Sequence, residues 1–536
     1  MFPRDSRLRG RAAVALAALA LGAVTCLPGG ASVQAGDAEN CRAATSQGPV
    51  QGTVRAGTCA YLGVPYAAAP TGPRRFRPPE PPAARRGTLN ADVAKPPCPQ
   101  DLADGNGQGD EDCLHVNIWA PRTRGAHRPV MVFLHGGENV INSASDAMTD
   151  GAALAARGDA VVVSADYRLG ILGWTELGSL DRSYAGSGNN GLRDEAAALG
   201  WVREQAAAFG GDPRNVTVFG QSAGSVSINA LLAGEHPERL FRRAVTESGP
   251  GYLVHTRHSA ESAAQRVFTA GGIHRVGDLA ALDTRQILEL QRTARAAAPG
   301  LAGAVFFGPY VDGSLVPGQV LDRVAAGSAR NVDVMTGSNS NETDFWALFQ
   351  PGILELPLSA YAVFPAPLAA RKQQMYDVYA ADRPGLAEGR VVNAMLTDQI
   401  WRIPSVRLAQ AQSRWRPSYV YQFDWHVPYA KGVPDAQNLG AMHQLELPFV
   451  FGTLDLGWVP RGKETLAAQR PELTRLSQAM MDAWASFART GNPGWRAYWG
   501  TDRATRFWDL NPVVRSAPRD NERALWDGYA FPSWDS

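Results

Sequence analysis

A serine flanked by small residues, Gly220-Gln221-Ser222-Ala223-Gly224, stands between the apolar run Val216-Thr217-Val218-Phe219 and a helix-like stretch from Ala223 to Leu232. In a chain with 55 glycines a G-x-S-x-G match is weak by itself. Its position changes that. A sharp strand-to-helix turn needs small neighbours, lifts the serine clear of a sheet, and turns the following N–H groups toward a developing oxyanion. The chemistry predicted is attack by Ser222 on a carbonyl carbon. A serine hydroxyl is barely nucleophilic at neutral pH, so it needs a base, and the base needs a carboxylate to hold its tautomer. At an elbow of this kind the chain order is serine, acid, histidine. Beyond residue 300 the histidines are His426 and His443. Both follow the strand-like Tyr419-Val420-Tyr421-Gln422-Phe423, so the pattern does not separate them. For the acid, Val332-Asp333-Val334-Met335 runs on through Gly337-Ser338-Asn339-Ser340-Asn341 to Glu342. That places Glu342 in a loop that should face the serine, with Asp344 as its local rival.

The elements that must hold these residues alternate in type. Gln51 to Tyr66 reads as short extended segments broken by glycine, as at an antiparallel sheet edge. Residues from Ala67 to Pro82, rich in proline and arginine, read as irregular surface. Pro129-Val130-Met131-Val132-Phe133-Leu134, ending in His135-Gly136-Gly137, is a buried-strand run, and Ala160-Val161-Val162-Val163-Ser164 is another. Between Leu192 and Phe209, apolar residues recur at helical spacing (Leu192, Ala196, Leu199, Val202, Ala206, Phe209). Strand, helix, strand, helix predicts an α/β fold with a mostly parallel sheet covered on both faces. Without internal repeats or low-complexity linkers after residue 40, one domain is expected, with helical cap insertions around 255–300 and 345–400.

Composition narrows the function classes. The 536 residues are 45% hydrophobic and 19% charged with a formal net charge of +1, enough for a large core. Phosphate binding needs a basic excess, so nucleic acid is an unlike partner for this balance. Arg4, Arg7, Arg9 and Arg11 precede an apolar run from Ala12 to Val24 and small residues up to Val33-Gln34-Ala35. This describes a secretory signal peptide over residues 1–35, cleaved after Ala35. The run is short of the roughly 20 residues a spanning helix needs, so no stable membrane anchor is expected. The mature chain, 36–536, is expected to be secreted, or periplasmic where an outer membrane exists. Cleavage removes Cys26 and leaves Cys41, Cys59, Cys98 and Cys113. In an exported chain these suggest two disulfides; of the three connectivities, nearest-neighbour pairing would close two short loops. No CxxC or histidine pair accompanies them, and neither metal nor cofactor is called for.

The chain resembles the type-B carboxylesterase/lipase family, which includes bacterial para-nitrobenzyl esterases, liver carboxylesterases and cholinesterases. The resemblance runs from about Gly48 to the C-terminus through ordered motifs: Tyr61-Leu62-Gly63-Val64-Pro65-Tyr66-Ala67, Glu111-Asp112-Cys113-Leu114 and Asp166-Tyr167-Arg168-Leu169-Gly170. It continues through Phe209-Gly210-Gly211-Asp212-Pro213 to Ser222, Glu247-Ser248-Gly249, Gly440-Ala441-Met442-His443, and Glu446-Leu447-Pro448-Phe449. Near the end stand Trp484-Ala485-Ser486-Phe487-Ala488 and Thr490-Gly491-Asn492-Pro493. What the resemblance implies is an α/β-hydrolase fold and hydrolysis of a small-molecule ester through an acyl-enzyme. Ser222 would be the nucleophile, His443 the base and Glu342 the orienting acid, with Ser248 supporting Glu342. It further implies a Cys98–Cys113 disulfide, with an Arg75–Glu111 ion pair beside it. The oxyanion donors would be the N–H groups of Gly137, Glu138 and Ala223.

Two positions depart from the family pattern. Where its oxyanion loop usually reads His-Gly-Gly-Gly, this chain has His135-Gly136-Gly137-Glu138. A carboxylate about 5 Å from an oxyanion costs about 3 kcal/mol at an effective dielectric of 20, so Glu138 must point away, pair with a cation or be protonated. Gln221 stands where the family often has glutamate, and the segment between Cys98 and Cys113 holds no aromatic residue; both argue against choline esters as preferred substrates. The competing readings are a lipase or amidase with the same triad, and a non-catalytic interaction protein of the same fold, which retention of all three triad positions disfavours.

Overall fold

Val130, Val132 and Leu134 pack into one hydrophobic core while Met131 and Phe133, from the same strand, pack into another on the opposite face. A strand buried on both faces reads as an unbroken apolar run, which is how this segment stands out in the sequence. The computed structural model describes residues 41–101, 107–122, 127–298, 305–361, 368, 370–428 and 439–531. The expected leader, 1–35 with Cys26, lies outside the described residues.

The main sheet is built, in chain order, from β1 (Thr53–Arg55), β2 (Thr58–Pro65), β3 (His115–Pro121), β4 (Arg128–Leu134), β5 (Val161–Ala165) and β6 (Gly211–Gln221). It continues with β7 (Arg243–Glu247), β8 (Asp333–Asn339), β9 (Ser418–Phe423), β10 (Thr505–Trp508) and β11 (Val513–Arg515). In space the order is β11-β10-β9-β8-β7-β6-β4-β5-β3-β2-β1, an 11-stranded sheet. From β5 through β4, β6, β7, β8 and β9 to β10 all neighbours run parallel, and antiparallel pairs close both ends. The mostly parallel sheet with helical insertions is the α/β-hydrolase architecture expected from the sequence.

Helices cover both faces. The predicted helix beginning near Leu192 is α1 (Asn190–Gln205), burying Leu192, Leu199 and Val202. Its continuation over Ala206–Phe209 tightens to a 3₁₀ turn and stops at Gly210, whose φ of 83° is the left-handed stop that glycine supplies. The predicted helix after the serine is α2 (Ala223–Leu232), buried along its whole length. Within the first insertion, α3 (Thr284–Ala296) starts at a capping box between Asp283 and Gln286. In the second, α4 (Glu388–Thr397) passes through a π-turn at Asp398–Arg402 into α5 (Ile403–Gln412). The long α6 (Gly462–Thr490) lies against the sheet near the end of the chain.

Disulfides join Cys41 to Cys59 and Cys98 to Cys113. Beside the second, Arg75 Nε donates to Glu111 Oε2 at 2.8 Å and its Nη2 to Glu111 Oε1. Thr284 Oγ1, at the start of α3, donates to the same carboxylate at 2.8 Å. The first insertion is thereby tied to the disulfide loop. No helix among the described residues is long and apolar enough to cross a membrane.

Candidate active site

Parallel register brings three strand ends to one edge. Gln221, the last residue of β6, pairs with Glu247 of β7, and Glu247 pairs with Gly337 of β8. The residues that follow, Ser222, Ser248 and the loop to Glu342, therefore emerge side by side.

Ser222 sits between β6 and α2 at φ 54°, ψ −120°, a conformation a non-glycine residue holds only when its surroundings impose it. Two contacts impose it. Ser222 N–H donates to Glu247 O at 2.9 Å, and Val226 N–H donates to Ser222 O at 3.0 Å. A Cβ on Gly224 would lie 2.1 Å from Leu134 O, so the helix can approach the end of β4 only with glycine there.

Facing the elbow is the loop after β4. Gly137 has φ 107°, and a Cβ on it would meet Ile141 O at 2.3 Å. Its carbonyl accepts from Val140 and Ile141 N–H at 2.9 and 3.1 Å, folding the loop into a tight turn. His135 is stacked on Tyr167 with ring centroids 4.4 Å apart, and Tyr167 donates its hydroxyl to His135 O at 2.7 Å. Burial lowers the His135 pKa to about 4, so the ring is neutral at physiological pH and serves as packing. Glu138 does pair with a cation: its Oε2 accepts from Arg295 Nη2 of α3 at 2.6 Å. Among the described residues no acceptor is found for the N–H groups of Gly137, Glu138 and Ala223.

Glu342 is fully buried, and each oxygen has its own partners. Oε1 accepts from Ser248 Oγ at 2.6 Å and from Asn339 N–H at 2.7 Å. Oε2 lies 2.6 Å from His443 Nδ1. The other ring nitrogen, His443 Nε2, meets the side-chain amide of Gln221 at 3.1 Å, so this edge of the ring is turned toward the elbow.

The two rivals lie elsewhere. Asp344 accepts from Arg390 Nη1 at 2.8 Å and from Gly440 N–H at 3.0 Å. Burial pushes its pKa up to about 6 despite the pull of Arg390. His426 is exposed, with Nδ1 3.4 Å from Asp424 O. Among the described residues no group of three or more His, Cys, Asp or Glu side chains is placed to hold a metal ion.

A family model described as "Carboxylesterase family" matches residues 39–523. The chain belongs to the carboxylesterase family. It is similar to the para-nitrobenzyl esterase of Bacillus subtilis (strain 168), 36% identical over 89% of this chain and 97% of that one. It is also similar to neuroligin-2 of Mus musculus, 28% identical over 87% of this chain, which spans 64% of that protein. Among solved structures, the Geobacillus stearothermophilus carboxylesterase EST55 superposes with a TM-score of 0.80 at 33% identity, covering 91% of this chain and all of that one. In a carboxylesterase fold, a histidine–glutamate pair set against a serine elbow supports serine-hydrolase chemistry.

This carboxylesterase also has site features that sequence reasoning missed. Phe345, Trp346 and Trp401 surround the His443 ring at centroid distances of 6.0, 5.4 and 5.6 Å. The first two lie just beyond Glu342, so their proximity had a sequence signal. Trp401 comes from the π-turn between α4 and α5, an irregularity common at functional sites. Asn339 ties the site to a deeper carboxylate: its side-chain amide donates to Met442 O at 2.7 Å and to Glu446 Oε2. Arg295 had no local signal, standing 157 residues from Glu138.

Proposed function

We propose that the chain is an exported hydrolase of small carboxylic esters, with residues 1–35 a cleaved leader and 36–536 a single catalytic domain. Ser222 is its nucleophile, His443 its general base and Glu342 its orienting acid. The observation that carries this reading is the 2.6 Å contact between His443 Nδ1 and Glu342 Oε2, with Nε2 of the same ring turned to the elbow. A proton on Nδ1, held by the carboxylate, leaves a lone pair on Nε2, which accepts from the Gln221 amide in this structure and takes the Ser222 proton once that amide gives way. The freed Oγ forms a bond to the acyl carbon, and the carbonyl oxygen becomes an anion met by the N–H groups of Gly137, Glu138 and Ala223. Collapse breaks the bond to the alcohol oxygen, which leaves with the proton from His443 Nε2. Water, deprotonated by the same nitrogen, then adds to the acyl carbon; collapse breaks the bond to Ser222 Oγ, which regains a proton from His443 Nε2 as the acid leaves. Phe345, Trp346 and Trp401 supply an apolar wall beside His443 for the ester's hydrocarbon part, in keeping with the similarity to a para-nitrobenzyl esterase.

The deciding experiment is Ser222→Ala assayed on a short activated ester. Loss of a coupled nucleophile costs factors near ~10⁶ in kcat, with the melting temperature held. Activity within about tenfold of the wild type would sink the assignment. An N-terminus other than Gly36 on protein recovered from outside the cell would contradict the leader.

A further inference from the structure

Three residues in succession hold positive φ in the loop facing the elbow: Gly137 at 107°, Glu138 at 56° and Asn139 at 58°. Only the first is a glycine; asparagine enters this region readily, but a glutamate holds it only when its surroundings impose it. The restraints form a closed circuit through α3. Arg295 on that helix holds the Glu138 carboxylate at 2.6 Å. One turn earlier, Gln291 Oε1 accepts from Ile171 N–H at 3.1 Å. The neighbouring Gly170 N–H donates to Asn139 O at 2.7 Å, returning to the loop. Asn139 is fixed a second time, its side-chain amide donating to Phe307 O at 3.1 Å.

The circuit has an electrostatic side. Glu138 is 28% exposed and Arg295 16%, so solvent screens the two charges only in part. Burial pushes the Glu138 carboxyl up and Arg295 pulls it back. An ionised carboxylate on the residue whose own N–H faces the oxyanion would oppose charge development unless a cation offsets it.

We propose that Arg295 is a positioning residue of the reaction: it neutralises Glu138, draws that side chain toward α3, and so leaves the Glu138 N–H free to receive the oxyanion. This rests on the triad reading above. The pair acts on the transition state more than on the bound ester, so its loss falls on kcat and spares KM.

The test compares the full-length mature enzyme with Arg295→Met, Glu138→Gln and the double variant on a neutral short ester, recording kcat, KM and Tm. Arg295→Met leaves the carboxylate without its guanidinium and should lower kcat on the order of 100-fold, with KM within about threefold. Glu138→Gln added to it removes the offending charge and should recover kcat to within about tenfold of the wild type. Arg295→Met with an unchanged kcat overturns the proposal, as does a folded double variant no faster than the single one. If Arg295→Met does not fold, the double variant decides alone: folded and within about tenfold of the wild type it supports the proposal, and folded but crippled it overturns it. Fluorophosphonate labelling of the wild type, mapped by mass spectrometry, keeps the two readings apart. An adduct away from Ser222 removes the triad assignment, whatever Arg295 does.

Discussion

Ser248 donates its hydroxyl to Glu342 Oε1 at 2.6 Å, within a region closed to solvent on both sides of the bond. With φ 53°, Ser248 is itself in a strained turn at the end of β7, so its side chain is aimed by backbone geometry. A hydrogen bond to a buried charge is worth about 1.5–3 kcal/mol. Ser248→Ala should therefore lower kcat about tenfold or somewhat more while leaving KM nearly unchanged, since Asn339 N–H still holds the same oxygen. Unchanged kcat would mean that Asn339 alone orients the carboxylate.

The choice of acid and base separates by readout. His443→Ala and Glu342→Ala should each lose at least about 10⁴ in kcat. His426→Ala, a surface change, should stay within about threefold of the wild type. Asp344→Ala removes the carboxylate that Arg390 and Gly440 N–H share, and breaking a buried pair costs about 3–5 kcal/mol. Its expected signature is a lower melting temperature with kcat of the folded protein largely kept. A dead His426→Ala variant, or an Asp344→Ala variant that melts normally and does not turn over, would reverse these roles.

Stability should rise on mild acidification. Burial pushes Asp166 up to about 7, and Glu446 up to about 7 with the charge of Glu342 adding to it. In the unfolded chain both titrate near about 4. The folded protein thus holds protons that the unfolded chain has released, and that stabilisation is lost as pH rises through about 7. His135 and His255, lowered to about 4 by burial, act in the opposite sense. Their contribution is lost only as pH falls from about 6.5 toward 4. From about pH 8 to about pH 6.5 the carboxylates govern, so Tm should climb as pH falls through that window. Asp166→Asn should flatten the climb, because the neutral side chain can still accept from Ala144 N–H. A Tm that is flat or falling in the wild type over that window would show that these carboxyls titrate normally.

The elbow, the alternating elements and the ordered motifs were legible in the sequence because each depends on neighbours within a few positions. Small residues around Ser222 are demanded by one sharp turn, and the apolar runs of β4, β5 and β6 by burial on both faces. The loop departure at Glu138 was visible for the same reason, as was the need to offset its charge. The sequence did not say which cation does so, and its residue pattern left His426 and His443 unseparated, His443 being implied as the partner of Glu342 only by the family resemblance. Those answers depend on parallel register, which sets Gln221, Glu247 and Gly337 abreast, and on the loop after β9 that returns His443 to Glu342 while His426 stays at the surface. They depend equally on the insertion helix that carries Arg295 across 157 residues of chain to the oxyanion loop. Local rules act along the chain and can be read from it. Contacts between distant segments form only when a shared core brings them together, so tertiary structure alone decided the partner of Glu138, and it supplied the contact between His443 and Glu342 that the resemblance could only imply.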